Sequence, residues 1–97
     1  MDITIKSLKF DADAKLVAFI EKKVARLEKF HGGQTNLEVI LSLVKNPANK
    51  SVKIKLNTPG ETHIIERNST TFEDAVTACV DAMKEKLTRS KEKQIEK

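Results

Sequence analysis

The sequence contains no Tyr or Trp, four Phe and a single Cys among its 97 residues. So few aromatic side chains disfavour stacking on unpaired bases as the main binding device of this protein. One cysteine cannot form a disulfide within the chain, and Cys79 falls on an apolar helical stripe, so we interpret it as a core residue rather than a nucleophile. No apolar run reaches membrane-spanning length and no basic-then-apolar leader opens the chain, which predicts a cytoplasmic protein.

The residues that catalysis and metal binding need are too few and too far apart. His31 is predicted in a loop and His63 in an exposed or half-exposed strand position, so the single Cys and two His give no metal-ligand spacing. Gly32-Gly33 stands alone before a predicted strand, which is not a phosphate-binding glycine loop. We therefore expect no enzyme, no metal, no cofactor and no small-molecule substrate.

The length predicts a single domain over residues 1–97, with a charge-rich tail from about residue 90 that we expect to fray. Apolar residues make up 39% of the chain and charged residues 33%, so the core is thin and the surface strongly solvated. The net charge is only +4, but residues 84–93 hold five Lys or Arg against two Glu. A one-sided basic end suits phosphate, anionic lipid or an acidic protein.

Periodicity predicts four strands and two helices. Alternating apolar residues predict strands, and apolar residues at steps of three and four predict helices. We expect Asp11 or Asp13 to cap the first helix, Gly32 and Gly33 to end it, and Thr70 with Glu73 to form a capping box for the second. The predicted strands are 2–8, 37–44, 50–56 and 61–67. The first helix should end at about Phe30 and the second should begin at residue 70. The later strands should be joined by a break at Asn46-Pro47 and by the turn Asn57-Thr58-Pro59-Gly60.

This order predicts a two-layer α+β sandwich of the form β-α-β-β-β-α. The three later strands should form an antiparallel meander, and the first should lie parallel to a neighbour through a right-handed helical crossover. Strands that alternate apolar and polar residues need helices on one face only, so both helices should lie on one face of a four-stranded sheet.

The last helix carries two successive patterns on one face. Its first half has an apolar stripe, which predicts packing against the sheet. After Leu87 the stripe becomes basic while the helical pattern continues, so the second half should extend beyond the core. The stripe consists of Phe72, Val76, Cys79, Val80, Met83 and Leu87.

Basic residues on the two helices are the candidate RNA-binding site. Lysine dominates the set, which suits contacts to a phosphate backbone better than reading of base edges and predicts strongly salt-dependent binding. The alternative is that these cations only keep the helices soluble. The candidates are Lys22, Lys23, Arg26 and Lys29 on the first helix, and Lys84, Lys86, Arg89, Lys91 and Lys93 on the second.

The element order, the segment Val24-Ala25-Arg26-Leu27-Glu28-Lys29-Phe30, the turn at 57–60 and the basic last helix resemble the short ribosome hibernation-promoting factors. This family includes the ribosome-associated translation inhibitors and is also labelled sigma-54 modulation. The resemblance implies binding to the small ribosomal subunit in the mRNA and tRNA channel during stress or stationary phase, with basic helix residues on ribosomal RNA. It covers essentially the whole chain.

Carried over one by one, the resemblance assigns basic family positions to Lys23, Arg26 and Lys29 and to Arg89, Lys91 and Lys93, while Lys86 stands where Gln is frequent. Three residues depart from the family pattern: Ala82 replaces a usual Lys, Glu85 a usual Arg, and Glu73 a frequent Tyr. The resemblance is to members without the long forms' C-terminal dimerisation domain and without an acidic extension, so we expect the short hibernation-promoting type, which should not pair ribosomes without a separate partner. We also expect a monomer when free.

Two other functions remain open at the level of sequence. Two-layer α+β domains with helices on one face also bind double-stranded RNA without sequence preference. A protein-interaction module that modulates transcription is the other alternative.

Overall fold

The computed structural model describes residues 2–30, 35–45, 47–58 and 60–95, with side chains throughout these ranges except at 29, 30 and 90–95. The observed order is β-α-β-β-β-α, as predicted. The elements are β1 (Asp2–Ser7), α1 (Ala14–Ala25) followed by a 3₁₀ helix (Arg26–Phe30), β2 (Asn36–Leu43), β3 (Lys50–Thr58), β4 (Glu61–Ser69) and α2 (Phe72–Ile95). The predictions for His31, Gly32, Gly33, Asn46 and Pro59 lie outside the described residues.

The four strands form one mixed sheet in the order β1-β2-β3-β4. β1 pairs with β2 in parallel, and β2, β3 and β4 pair antiparallel. β2 carries apolar residues on both sides and lies between β1 and β3, which confirms its predicted central place. The sheet and its two helices confirm the predicted α+β architecture.

The helices cover the inner face of the sheet, where the core lies. Residues of period two on β2 and β3 are buried against the apolar stripes of α1 and α2. The fully buried set includes Leu37, Val39 and Leu41 of β2, Val52, Ile54 and Leu56 of β3, Ile20 and Val24 of α1, and Val76, Cys79 and Met83 of α2.

The first helix begins as predicted and ends differently. Asp13 is its N-cap, because its Oδ1 accepts the backbone N–H of Leu16 at 2.7 Å. The α-helix stops at Ala25, five residues before the predicted end, and Arg26 donates its N–H to the Lys23 carbonyl in the tighter i→i−3 pattern. A 3₁₀ segment is a common way to finish a helix, and it still buries Leu27.

The second helix is capped one residue later than predicted. Thr71 Oγ1 accepts the backbone N–H of Asp74 at 3.1 Å, so the cap is Thr71 rather than Thr70, and Glu73 is not the reciprocal acid. This register places Phe72 at the first helical position, where it is buried and stacks on Phe10 with ring centroids 5.1 Å apart. All six residues of the predicted apolar stripe are buried.

The turn between β3 and β4 is shorter than predicted, because β3 extends two residues further, to Thr58, while β4 begins at Glu61 as predicted. Gly60 adopts φ +85°, the left-handed conformation that favours glycine. Thr62 Oγ1 donates to Asn57 Oδ1 at 3.1 Å across the hairpin.

Candidate nucleic-acid interface

A groove of about 560 Å³ runs between β4, the edge strand of the sheet, and the second half of α2. β4 supplies its floor and α2 one wall. The lining residues are Glu61, His63, Ile65 and Arg67 of β4 and Ala82, Glu85, Lys86 and Arg89 of α2. The groove is therefore built from the element that the sequence singles out and from a strand that it does not.

The floor follows from the register of β4 on β3. Leu56, Ile54 and Val52 of β3 face the core, and they pair with His63, Ile65 and Arg67 respectively. Because a strand alternates sides, these three β4 residues lie on the helix-covered face.

His63 lies on this face with only 6% of its surface exposed, so its predicted exposed or half-exposed position is wrong. His63 lies on the face of β4 that the helices cover, and its partner in the sheet is the buried Leu56. Its Nε2 lies 3.2 Å from Oε2 of Glu61, at the rim of the groove.

The α2 wall consists of residues three and four apart, which places them on one side of the helix. Arg89 Nη2 donates to Glu85 Oε1 at 2.5 Å, an i,i+4 ion pair with side chains that are 72% and 63% exposed. Lys86 lies beside this pair and is exposed. The wall thus holds one cation bound to a carboxylate and one cation with no ion pair among the described side chains.

The groove carries three cations, Arg67, Lys86 and Arg89, and two carboxylates, Glu61 and Glu85. Arg67 Nη1 donates to the backbone carbonyl of Glu66 at 2.8 Å, which leaves most of the guanidinium N–H groups for another acceptor. An open groove with an apolar floor at Ile65 and cations on both sides can hold an extended anion such as a phosphodiester chain.

Cys79 lies in the core next to this groove and does not contribute a reactive thiolate. Its Sγ donates to the Val52 carbonyl at 3.2 Å, and the side chain is fully buried. Burial raises the pKa of the thiol from 9.0 to about 11, although the nearby positive charge of Arg67 opposes this shift. The interpretation of Cys79 as a core residue is confirmed.

The structure separates the predicted α2 cations into two groups. Lys86 and Arg89 line the groove, whereas Lys84 is half-buried and is not among the lining residues. Two residues along a helix correspond to about 200° of rotation, so Lys84 lies on the other side of α2 from Lys86. The side chains of Lys91 and Lys93 lie outside the described residues.

The α1 cations lie away from the groove. Lys22 and Arg26 are exposed near the end of α1, and Lys23 is half-buried with its Nζ 5.6 Å from the centre of the Phe19 ring. None of these three is among the lining residues of the groove. The side chain of Lys29 lies outside the described residues.

Sequence reasoning missed Arg67 as a groove residue. The signal was present but ambiguous, because Ile64 and Ile65 are adjacent and either could face the core. Had Ile65 been chosen, period-two alternation would have placed Arg67 on the same face as the α2 cations.

Two further findings concern the described part of the chain. No group of three or more His, Cys, Asp or Glu side chains there could hold a metal ion. Across the same residues, no helix combines the length and the apolar character that crossing a bilayer requires.

The fold matches solved structures along nearly its whole length. One is the N-terminal domain of Thermus thermophilus Protein Y, with 23% identity, coverage of 92% of this chain and 98% of that one, and a TM-score of 0.81. Another is a ribosomal subunit interface protein from Coxiella burnetii, with 21% identity, coverage of 94% and 98%, and a TM-score of 0.80. At these identities the likeness establishes the fold.

Membership of a family is established by sequence. No match is found among curated proteins. The family model described as sigma 54 modulation protein / S30EA ribosomal protein matches residues 3–95 of this chain, from the first strand to the end of α2. The chain therefore belongs to the sigma 54 modulation protein / S30EA ribosomal protein family.

Proposed function

We propose that this protein binds the small ribosomal subunit and inhibits translation as a hibernation factor. In this proposal it occupies the channel for mRNA and tRNA and contacts ribosomal RNA through the basic surfaces of its helices. The observation that carries the proposal is the family match over residues 3–95. The matched range includes all four strands, apart from the first residue of β1, and both helices. The family is not an enzyme family, and the proposed activity is binding alone.

The charges on the helices support contact with a phosphate backbone. Lys86 and Arg89 share a groove with Arg67, and Lys22 and Arg26 extend exposed from the end of α1. The proposed contact set comprises Lys22, Lys23, Arg26 and Lys29 of α1 and its 3₁₀ extension, and Lys84, Lys86, Arg89, Lys91 and Lys93 of α2.

The aromatic side chains support the same mode. Phe10 and Phe72 stack on each other, and Phe19 packs against the core under the Nζ of Lys23. Three of the four phenylalanines are therefore engaged in the fold, and they offer no platform for unpaired bases. Recognition would rest on phosphates and on RNA shape rather than on base stacking.

We propose that the protein acts in the cytoplasm, where its ribosomal partner is, during stress or stationary phase. We propose that residues 1–97 act as one ribosome-binding domain, monomeric when free, and that neither a membrane nor a small-molecule substrate takes part.

Co-sedimentation with purified small subunits across a salt series tests the proposal. We expect binding at about 50 mM monovalent salt and a loss of roughly 10³-fold or more by 200 mM if six or more phosphates are contacted. A protein that stays in the free fraction at low salt would refute it. Excess duplex RNA should leave most of the protein on the subunit, and complete displacement would indicate a general double-stranded-RNA binder instead.

The family description also names modulation of sigma 54, which favours a protein partner as the second candidate. The two candidates differ in their response to nuclease. Digestion of RNA should abolish retention of this protein on a ribosomal partner, whereas a protein–protein complex should survive it.

A further inference from the structure

Glu85 occupies a place in the groove where a bound phosphate would be held. Its Oε1 accepts from Nη2 of Arg89 at 2.5 Å, and both residues line the groove together with Lys86 and Arg67. A carboxylate and a phosphate oxygen use the same guanidinium N–H donors. Glu85 therefore competes with an incoming phosphate for Arg89.

We propose that the groove between β4 and α2 binds an RNA phosphodiester through Arg67, Lys86 and Arg89, and that Glu85 is a built-in competitor that limits the affinity. This inference rests on the proposed function and adds to it a contact strand, β4, and a residue that sets binding strength.

The geometry of the groove supports an extended polyanion as occupant. Cations lie on both sides of the apolar Ile65, from β4 at Arg67 and from α2 at Lys86 and Arg89. Successive phosphates of one strand can contact Arg67 on the floor and the cations of the α2 wall in turn. The other carboxylate, Glu61, lies against His63, six residues along β4 from Arg67, and so does not compete for that cation.

The ion pair itself is easily exchanged. Both side chains are mostly exposed, at 72% and 63%, and exposed pairs of this kind are weak and screened by salt. A phosphate can therefore replace the carboxylate on Arg89, but the charge of Glu85 then remains beside the phosphate. A unit charge about 6 Å away, at an effective dielectric of about 40–80, corresponds to roughly threefold to tenfold in affinity.

The test is the affinity of the full-length protein for purified small ribosomal subunits across a salt series. Glu85→Gln should bind threefold to tenfold more tightly than the unmodified chain, with a salt slope steeper by about one. Asp81→Asn is the matched control, because it makes the same charge change one helical turn earlier, at an exposed residue outside the groove. The control should gain less than twofold.

Arg67→Gln tests the contribution of β4. It should lose about fivefold to tenfold in affinity and flatten the salt slope by about one. Lys55→Gln, on the outer face of the neighbouring strand, makes the same charge change and should lose less than twofold.

A third comparison isolates the competition. Removing Arg89 as Arg89→Gln should cost more affinity in the Glu85→Gln background than in the unmodified chain, because Arg89 is then no longer shared. Equal costs in both backgrounds would overturn the competitor role.

The outcomes separate this inference from the proposed function. If the unmodified chain binds subunits but Glu85→Gln behaves like Asp81→Asn, the competitor role is wrong while ribosome binding stands. If Arg67→Gln behaves like Lys55→Gln, the groove is not the contact surface. If the unmodified chain does not bind subunits at low salt, both proposals fail together.

Discussion

Reversing the charge of one exposed arginine on each helix is the strongest single test of the basic surface. Arg26 follows α1 and Arg89 lines the α2 wall of the groove, and both are exposed. The double variant Arg26→Glu with Arg89→Glu changes the net charge by four units without touching a buried residue. We expect it to fold and to lose binding to small ribosomal subunits.

The size of the loss follows from the two contacts removed and the two repulsions added. At about 0.1 M monovalent salt, each lost phosphate contact costs roughly eightfold through counterion release, so two cost about 60-fold. Each new carboxylate near a phosphate adds roughly threefold to tenfold. The total is on the order of 10³-fold, with a salt slope flatter by about two.

The fold should survive this change. Arg89→Glu replaces the ion pair with Glu85 by a like-charge i,i+4 pair, which costs about 0.5–1 kcal/mol. For a chain of this length, such a cost lowers the melting temperature by less than about 8 °C. Thermal unfolding of the variant measures this directly and shows that the affinity is that of folded protein.

A matched control makes the same charge change on the opposite face. Lys53 and Lys55 lie on the outer side of β3, away from both helices. The double variant Lys53→Glu with Lys55→Glu should keep its affinity within about tenfold, because its charges lie beyond a Debye length from the helix surface. Retained binding by the arginine variant would refute the assignment. A larger loss in the lysine variant would also refute it and would place the contact on the open face of the sheet.

Three further predictions concern the fold, and thermal or denaturant unfolding measures each of them. Thr71→Ala should destabilise the protein by about 1 kcal/mol, whereas Thr70→Ala should change stability by less than about 0.5 kcal/mol, since only Thr71 caps α2; equal effects would restore the predicted cap. Gly60→Ala should lower the free energy of unfolding by about 1 kcal/mol, because an L side chain is strained at φ +85° even though its Cβ would meet no atom within 4 Å. An unchanged stability would mean that the turn relaxes. Because the folded state raises the pKa of Cys79 from 9.0 to about 11, the unfolded chain loses its thiol proton first. The contribution of Cys79 to stability should therefore be constant below about pH 9 and fall by about 2–3 kcal/mol towards pH 11. Cys79→Ala should lack that fall, and an identical pH profile in both proteins would contradict the buried thiol.

Periodicity predicted the apolar stripe of α2 because a helix that covers a sheet must repeat its buried residues every three or four positions. The cap could not be settled in the same way. Thr70 and Thr71 are adjacent and each has an acidic residue three positions later, so the local signal is degenerate. The choice is made by Phe72, which must point into the core against Phe10.

The floor of the groove shows a second limit of sequence reasoning. His63 and Arg67 are polar, and a polar residue in a strand is ordinarily assigned to the solvent side. The pairing of Leu56 with His63 and of Val52 with Arg67 places both polar residues on the helix-covered face instead. The sequence of β4 alone does not specify which of its residues pair with buried residues of β3. The candidate cations of the helices were predictable from local pattern, but their neighbour on the sheet was not.

The second half of α2 continues beyond the last buried residue that the structure describes on this helix. The last of its buried residues in the described part of the chain is Leu87, yet the helix continues to Ile95, about 12 Å further. Its packed half removes the cost of nucleation, so each added residue needs only to propagate the helix. Cations near a helix C-terminus also stabilise the dipole, so the basic residues that would attract phosphate help to hold the helix that presents them. Reversal of Arg89 weakens both the helix and the contact, because it replaces the i,i+4 ion pair with Glu85 by a like-charge pair, whereas Arg89→Gln removes one charge and adds no repulsion. The ratio of their binding losses should consequently exceed the threefold to tenfold expected from the added carboxylate alone, and a ratio within that range would mean that the helix tolerates the like-charge pair.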